Sequence, residues 1–184
     1  MQLLTLLLFP FTILATPRGR PGGHHGGGKD PCTSVSLHHP TLQIEDFKYR
    51  ASYLFTNPAH QNSHGYVTFN LLNDMVDTNV SCSASSSWLQ NFFYGQIWYT
   101  CDDDASAFRY NYPTGELELN TTWTCDGGRS DATFNGTFLH DMAPTCTEEN
   151  WQNPNWASGE FYSDDEIVCL TPLTIIIPNV VSDY

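Results

Sequence analysis

Two tryptophans stand five positions apart in Asn150-Trp151-Gln152-Asn153-Pro154-Asn155-Trp156, among side-chain amides. Indole faces stack on sugar rings while Asn and Gln side chains bond hydroxyls, so Trp151, Asn153, Asn155 and Trp156 are the candidate binding residues. Aromatic residues on loops equally make protein-contact hot spots. A third use of such indoles is to fold back and cap an open end of the domain. Trp88, Trp98 and Trp123 are expected in the core.

The acids and histidines carry weaker chemistry. Asp164-Asp165-Glu166 is a carboxylate run, but glycoside hydrolysis needs two carboxylates about 5–10 Å apart across a cleft, which adjacency in sequence neither sets nor excludes. Asp102-Asp103-Asp104 resembles the start of a calcium loop. A loop beginning at Asp102 would put Ala107 where Gly belongs and Pro113 where Glu belongs, so the motif fails. His60 and His64 are flanked by Pro58, Asn62 and Gly65, which mark a loop, and no third metal ligand is identified. No G-x-S-x-G, H-E-x-x-H or Gly-rich phosphate loop occurs. No catalytic residue, metal or cofactor is therefore assigned.

Charge narrows the partners. Seven Lys and Arg stand against 20 Asp and Glu, a formal net charge of −13. Phosphates would be repelled, which excludes nucleic acid, and an anionic membrane surface is excluded for the same reason. With 40% hydrophobic and 14% aromatic residues, the chain is too apolar to be disordered, and its 184 residues suit one domain plus ends.

The elements that must position these residues are strands. Asp46 to Tyr53 alternates, with Phe47, Tyr49, Ala51 and Tyr53 on one side. Val67, Phe69 and Leu71 share a face in the next run. In Glu116–Cys125, Leu117, Leu119, Trp123 and Cys125 oppose Glu116, Glu118, Asn120, Thr122 and Thr124. Phe134 and Phe138 oppose Asn135. Phe108–Tyr112 leads into Pro113-Thr114-Gly115, a turn that should pair it with 116–125. Late strands are expected at Ile167–Cys169 and at Thr174–Ile177, the latter stopping before Pro178. Helix is limited to a turn or two over Ser86–Phe92. The fold class expected is all-β, a single antiparallel β-barrel or sandwich.

The ends supply an address. Leu3–Ala15 is an uncharged apolar run, too short for a membrane span of about 20 residues. Residues 1–15 read as a signal peptide, cleaved after Ala15, although only the terminal amine precedes the run as positive charge. Residues 16–30, rich in Gly and Pro, read as a disordered leader, and 31–184 as the disulfide-linked β domain. Six cysteines with no C-x-x-C pair indicate three disulfides in an oxidising compartment. Fifteen pairings are possible, of which Cys82–Cys101, Cys125–Cys146 and Cys32–Cys169 give two local clasps and one tie between the ends. Sequons at Asn79, Asn120 and Asn135 agree with secretion as a glycoprotein.

Phe47-x-Tyr49, Val67-Thr68-Phe69-Asn70-Leu71, Cys82, Tyr99-Thr100-Cys101, Phe108-Arg109-Tyr110 and Trp123-Thr124-Cys125 follow one another in an order that resembles the fungal family named for the major allergen of Alternaria. The likeness spans about residues 42–180. It implies a secreted, disulfide-clasped β-barrel without established enzymatic activity, of the kind found in allergens and in elicitor-like proteins that meet plant defences. The function expected is a non-catalytic interaction protein, an effector or elicitor acting on host proteins. The alternative is a carbohydrate-binding module using Trp151 and Trp156 on cell-wall polysaccharide. The partner is thus an extracellular protein or polysaccharide. The resemblance also implies a homodimer through an early cysteine, a role open to Cys32, whereas the even count lets Cys32 pair within the chain.

Overall fold

The computed structural model describes residues 31–87, 93–126, 132–171 and 174–183. A short helix, α1 (Pro31–His38), precedes ten strands: β1 (Thr41–Asn57), β2 (His60–Asn73), β3 (Thr78–Ser86), β4 (Tyr99–Thr100), β5 (Ser106–Asn111), β6 (Glu116–Cys125), β7 (Ala132–Asp141), β8 (Thr145–Gln152), β9 (Ser163–Thr171) and β10 (Ile175–Asp183). The described pairings are all antiparallel. The path runs β3-β2-β1-β10-β7-β6-β5-β4, with β9 also on β1 and β8 outside β9. The sheets face each other as a sandwich and do not close into a barrel. Where β3 and β4 approach, they are joined by the Cys82–Cys101 disulfide and by the Asp102 N–H donating to the Ser81 carbonyl at 3.0 Å.

β1 organises the fold because it takes two partners on one side. Thr41–Ile44 pair with β10 and Phe47–Phe55 with β9. Between them the register shifts, and Asp46 has φ 55. The extra residue of this bulge reverses the alternation: Leu42 and Ile44 face inward before it, Phe47, Tyr49 and Ala51 after it. The even-to-odd change keeps apolar residues inside along a 17-residue strand.

The core is aromatic. Phe47 meets Tyr110 at 5.1 Å between ring centres, Phe69 meets Phe108 at 4.9 Å, and Tyr49 stacks on Tyr112 at 4.6 Å. On β6, Leu117, Leu119, Trp123 and Cys125 are buried, as their alternation requires, and β5 pairs with β6 across the turn at 112–115.

Several expectations are corrected. Cys82–Cys101 forms, but Cys125 bonds Cys32 and Cys146 bonds Cys169, in place of Cys125–Cys146 and Cys32–Cys169. The physical reason is register: Cys146 lies directly opposite Cys169 across β8 and β9. Cys125 instead ends β6 beside α1, within reach of Cys32. With Cys32 bonded inside the chain, it is not available for a disulfide to a second copy. β10 does not stop before Pro178 but runs on to Asp183. Pro178 falls where β10 leaves β1 and Asn179 joins β7, a position where a missing N–H is tolerated. α1 was not expected, since eight residues of mixed propensity show no amphipathic period. Trp98 is not core: it is 41% exposed, with the Arg109 guanidinium over its ring at 5.0 Å. Trp88 and the helical turn expected over Ser86–Phe92 lie outside the described residues, apart from Ser86 itself, which ends β3, and Ser87. Residues 1–15 and 16–30 also lie outside them.

Candidate functional site

Among the described residues β8 has a neighbour, β9, on one edge only, and all eight of its own residues are exposed. With β9 it forms a two-stranded arm on the flank of β1. Trp151 lies across from Asp164, which lies across from Leu54 of β1. Glu149 likewise faces Glu166, which faces Ser52. Like charges directly opposite each other repel, and Arg50 offsets this by its ion pair with Glu166. Ser52 Oγ donates to Asp164 at 2.9 Å. Two of the three acids in the 164–166 run are thus engaged by β1 side chains rather than converging on a cleft.

The loop joining β8 to β9 is held by its own polar groups. Asn153 N–H donates to the Tyr162 carbonyl at 2.8 Å, and its side-chain NH₂ donates to Glu160 at 3.1 Å. Its side-chain oxygen accepts from Asn155 N–H at 3.0 Å. Trp156 Nε1–H donates to the Glu160 carbonyl at 2.9 Å, and the indole meets Tyr162 edge-on at 5.9 Å. The loop is tied to the sheet by Tyr162 N–H donating to the Phe55 carbonyl at 2.8 Å.

These contacts divide the four candidate residues. Asn153 and Trp156 hold the loop together. Trp151, 51% exposed, and the side chain of Asn155 face solvent. Trp151 stands on β8, and Trp156 lines a separate cleft of about 540 Å³ with Asn57, Pro58, Gly159, Glu160 and Phe161. That volume is within the usual range for small-molecule sites. Sequence reasoning missed Phe161, 55% exposed at the cleft, and the turn at 57–60 that forms its other wall. The signal for Phe161 was present in the loop; the turn is about a hundred residues away in sequence and only the β1–β9 pairing brings it there.

The remaining motifs serve structure. Asp103 accepts from Ser106 N–H and Oγ–H, each at 2.9 Å, which closes the turn after Cys101. His60 and His64 do not lie in a loop but on β2: His60 shares hydrogen bonds with the Asn57 side chain, and His64 lies across from Ser52. Asn79, Asn120 and Asn135 are all exposed. No helix among the described residues is long and apolar enough to cross a membrane.

The model of the family described as Alternaria alternata allergen 1 matches residues 44–169. The chain belongs to the Alternaria alternata allergen 1 family. That stretch runs from the inward Ile44 of β1 to Cys169 of β9, so the allergen 1 match takes in the arm and its loop as well as the aromatic core. No curated protein and no solved structure matches the chain.

Proposed function

We propose that this member of the allergen 1 family is a secreted, non-catalytic binding protein that contacts an extracellular host protein through the β8–β9 arm. The observation that carries the reading is the arm itself, a strand exposed along its whole length with Trp151 standing on it. Exposed aromatic anchors dominate binding energy at protein interfaces. Glu148 and Glu149 keep the open edge from pairing with other chains indiscriminately. Three internal disulfides are consistent with an oxidising compartment.

A photocrosslinker placed at position 151 tests this in extracellular fluid from host tissue. The expected result is one discrete crosslinked protein, absent when the crosslinker is moved to position 124 on the opposite sheet. Equal labelling from both positions overturns the reading.

A second reading, recognition of cell-wall polysaccharide, is favoured by the cleft beside Trp156 and Phe161. Pelleting with insoluble chitin, glucan and cellulose separates the two. Saturable pelleting that is lost in Phe161→Ala promotes the carbohydrate reading. In neither case are reducing ends released.

A further inference from the structure

The second and third sequons, fifteen residues apart in sequence, interlock on the folded sheet. β6 and β7 pair so that Asn120 lies across from Thr137, and Thr122 lies across from Asn135. Each acceptor asparagine therefore stands beside the hydroxyl residue of the other sequon. The two asparagines are diagonal neighbours on one face, roughly 7–8 Å apart by strand geometry.

The surroundings are unusual for a chain of net charge −13. Over three consecutive outward pairs, the face consists of Asn120, Thr122 and Thr124 on β6 and Thr133, Asn135 and Thr137 on β7, with no charged residue among them; the acid beside them is Asp183 of β10, across from Asn135 on its other side. Thr124 and Thr133 hydrogen-bond each other at 3.2 Å. A neutral cover of hydroxyls and amides suits a surface that lies beneath oligosaccharide. The middle residue of the third sequon fits the same placement. A Cβ on Gly136 would come within 2.7 Å of the Phe138 ring and 3.1 Å of Trp123. Glycine there lets the strand lie close on the core while Asn135 stays outside.

We infer that Asn120 and Asn135 form one composite N-glycan patch whose two oligosaccharides together cover the outer face of β6 and β7. The inference rests on the secretory reading above. In the transfer, each asparagine Nδ2 bonds to the anomeric carbon of a lipid-linked oligosaccharide. The bond from that carbon to pyrophosphate breaks, the lipid pyrophosphate leaves, and the amide loses one proton. Transfer precedes folding of the strands, when the asparagines are well separated along the chain, so both accept. Once folded, each oligosaccharide shields the base of the other.

The test is full-chain expression in a secretory eukaryotic host, with glycopeptide mass mapping and timed endoglycosidase release from the folded protein. Both asparagines are expected to be occupied, and release at Asn120 is expected to quicken at least threefold in Asn135→Gln. Thr137→Ala, which removes the same sequon and retains Asn135, should quicken it equally and guards against a folding defect in the first variant. Secreted protein with Asn79 occupied and both of the pair bare overturns the inference. Unchanged Asn120 release in both variants also overturns it. Retention inside the cell with residues 1–15 still attached overturns the secretory reading, and the inference with it.

Discussion

At the scale of single residues, the core holds phenols where hydrocarbon would pack as well. The Tyr49 and Tyr110 hydroxyls are buried without a hydrogen-bond partner among the described residues. Burial pushes both far above the ordinary tyrosine range, and neighbouring tyrosines, chiefly Tyr53 for Tyr49 and Tyr112 for Tyr110, push the same way. The neutral phenol is the form the fold accepts. Its contribution is complete below the unfolded value of about 10 and is lost as pH rises beyond it. Denaturant midpoints should be flat from pH 7 to 9 and fall above 10, each buried tyrosine adding a slope of about 1.4 kcal/mol per pH unit. Tyr110→Phe should flatten that limb and be neutral or stabilising by up to about 1 kcal/mol at pH 7, since it removes an unsatisfied polar group. An unchanged alkaline limb in the variant would show that Tyr110 ionises outside the core. Ser36 presents the reverse case. It is 1% exposed and accepts the Trp123 Nε1–H at 2.8 Å. Ser36→Ala leaves that N–H buried and unpaired, and should cost about 1–3 kcal/mol in thermal or chemical unfolding.

At the scale of elements, legibility depended on how local the determining contacts are. β6 was readable residue by residue because its alternation reports directly which side meets the core. β1 was readable only after Asp46, since the bulge shifts the period, and an aspartate, although favoured at positive φ, does not by itself mark a bulge. α1 was invisible because its stability comes from a distant element: Cys32 bonds Cys125 across 93 positions, and Ser36 reaches the same end of β6. The cysteine pairing failed for the same reason, being set by strand register and not by spacing along the chain. The split between Trp151 and Trp156 was likewise unreadable, because the hydrogen bonds of Glu160 decide which indole folds back. Removing the Cys32–Cys125 bond by Cys32→Ala with Cys125→Ala should cost about 3–5 kcal/mol, as expected for a long closed loop. It should also raise hydrogen exchange first across residues 31–38 and 121–125. The unmodified protein should run as a single chain without reductant. A covalent dimer on such a gel would mean that Cys32 exchanges partners.

At the scale of the whole molecule, the sheet lengths separate what the sequons cover from what the arm presents. Asn79 lies across from Leu72 near one end of β2, whereas Trp151 belongs to the row that reaches Asn62 near the other. Ten residues of strand between them span about 33 Å. The Asn120 and Asn135 pair stands on the opposite sheet. Asn79 shares the outer face of its sheet with Trp151 but stands at the far end of it, and the other two sequons lie on the opposite sheet, so glycan should protect the rest of the surface while the arm stays bare. The consequence is that sugar and binding are independent. Trimming the oligosaccharides under native conditions should leave affinity for the crosslinked partner within about twofold. Trp151→Ala should weaken it at least tenfold, about 1.4 kcal/mol or more, as loss of an aromatic anchor does. Both effects are measurable by titration on immobilised partner. The reverse pattern, with affinity lost on trimming and kept in Trp151→Ala, would move the binding surface from the arm to the glycan-bearing sheet.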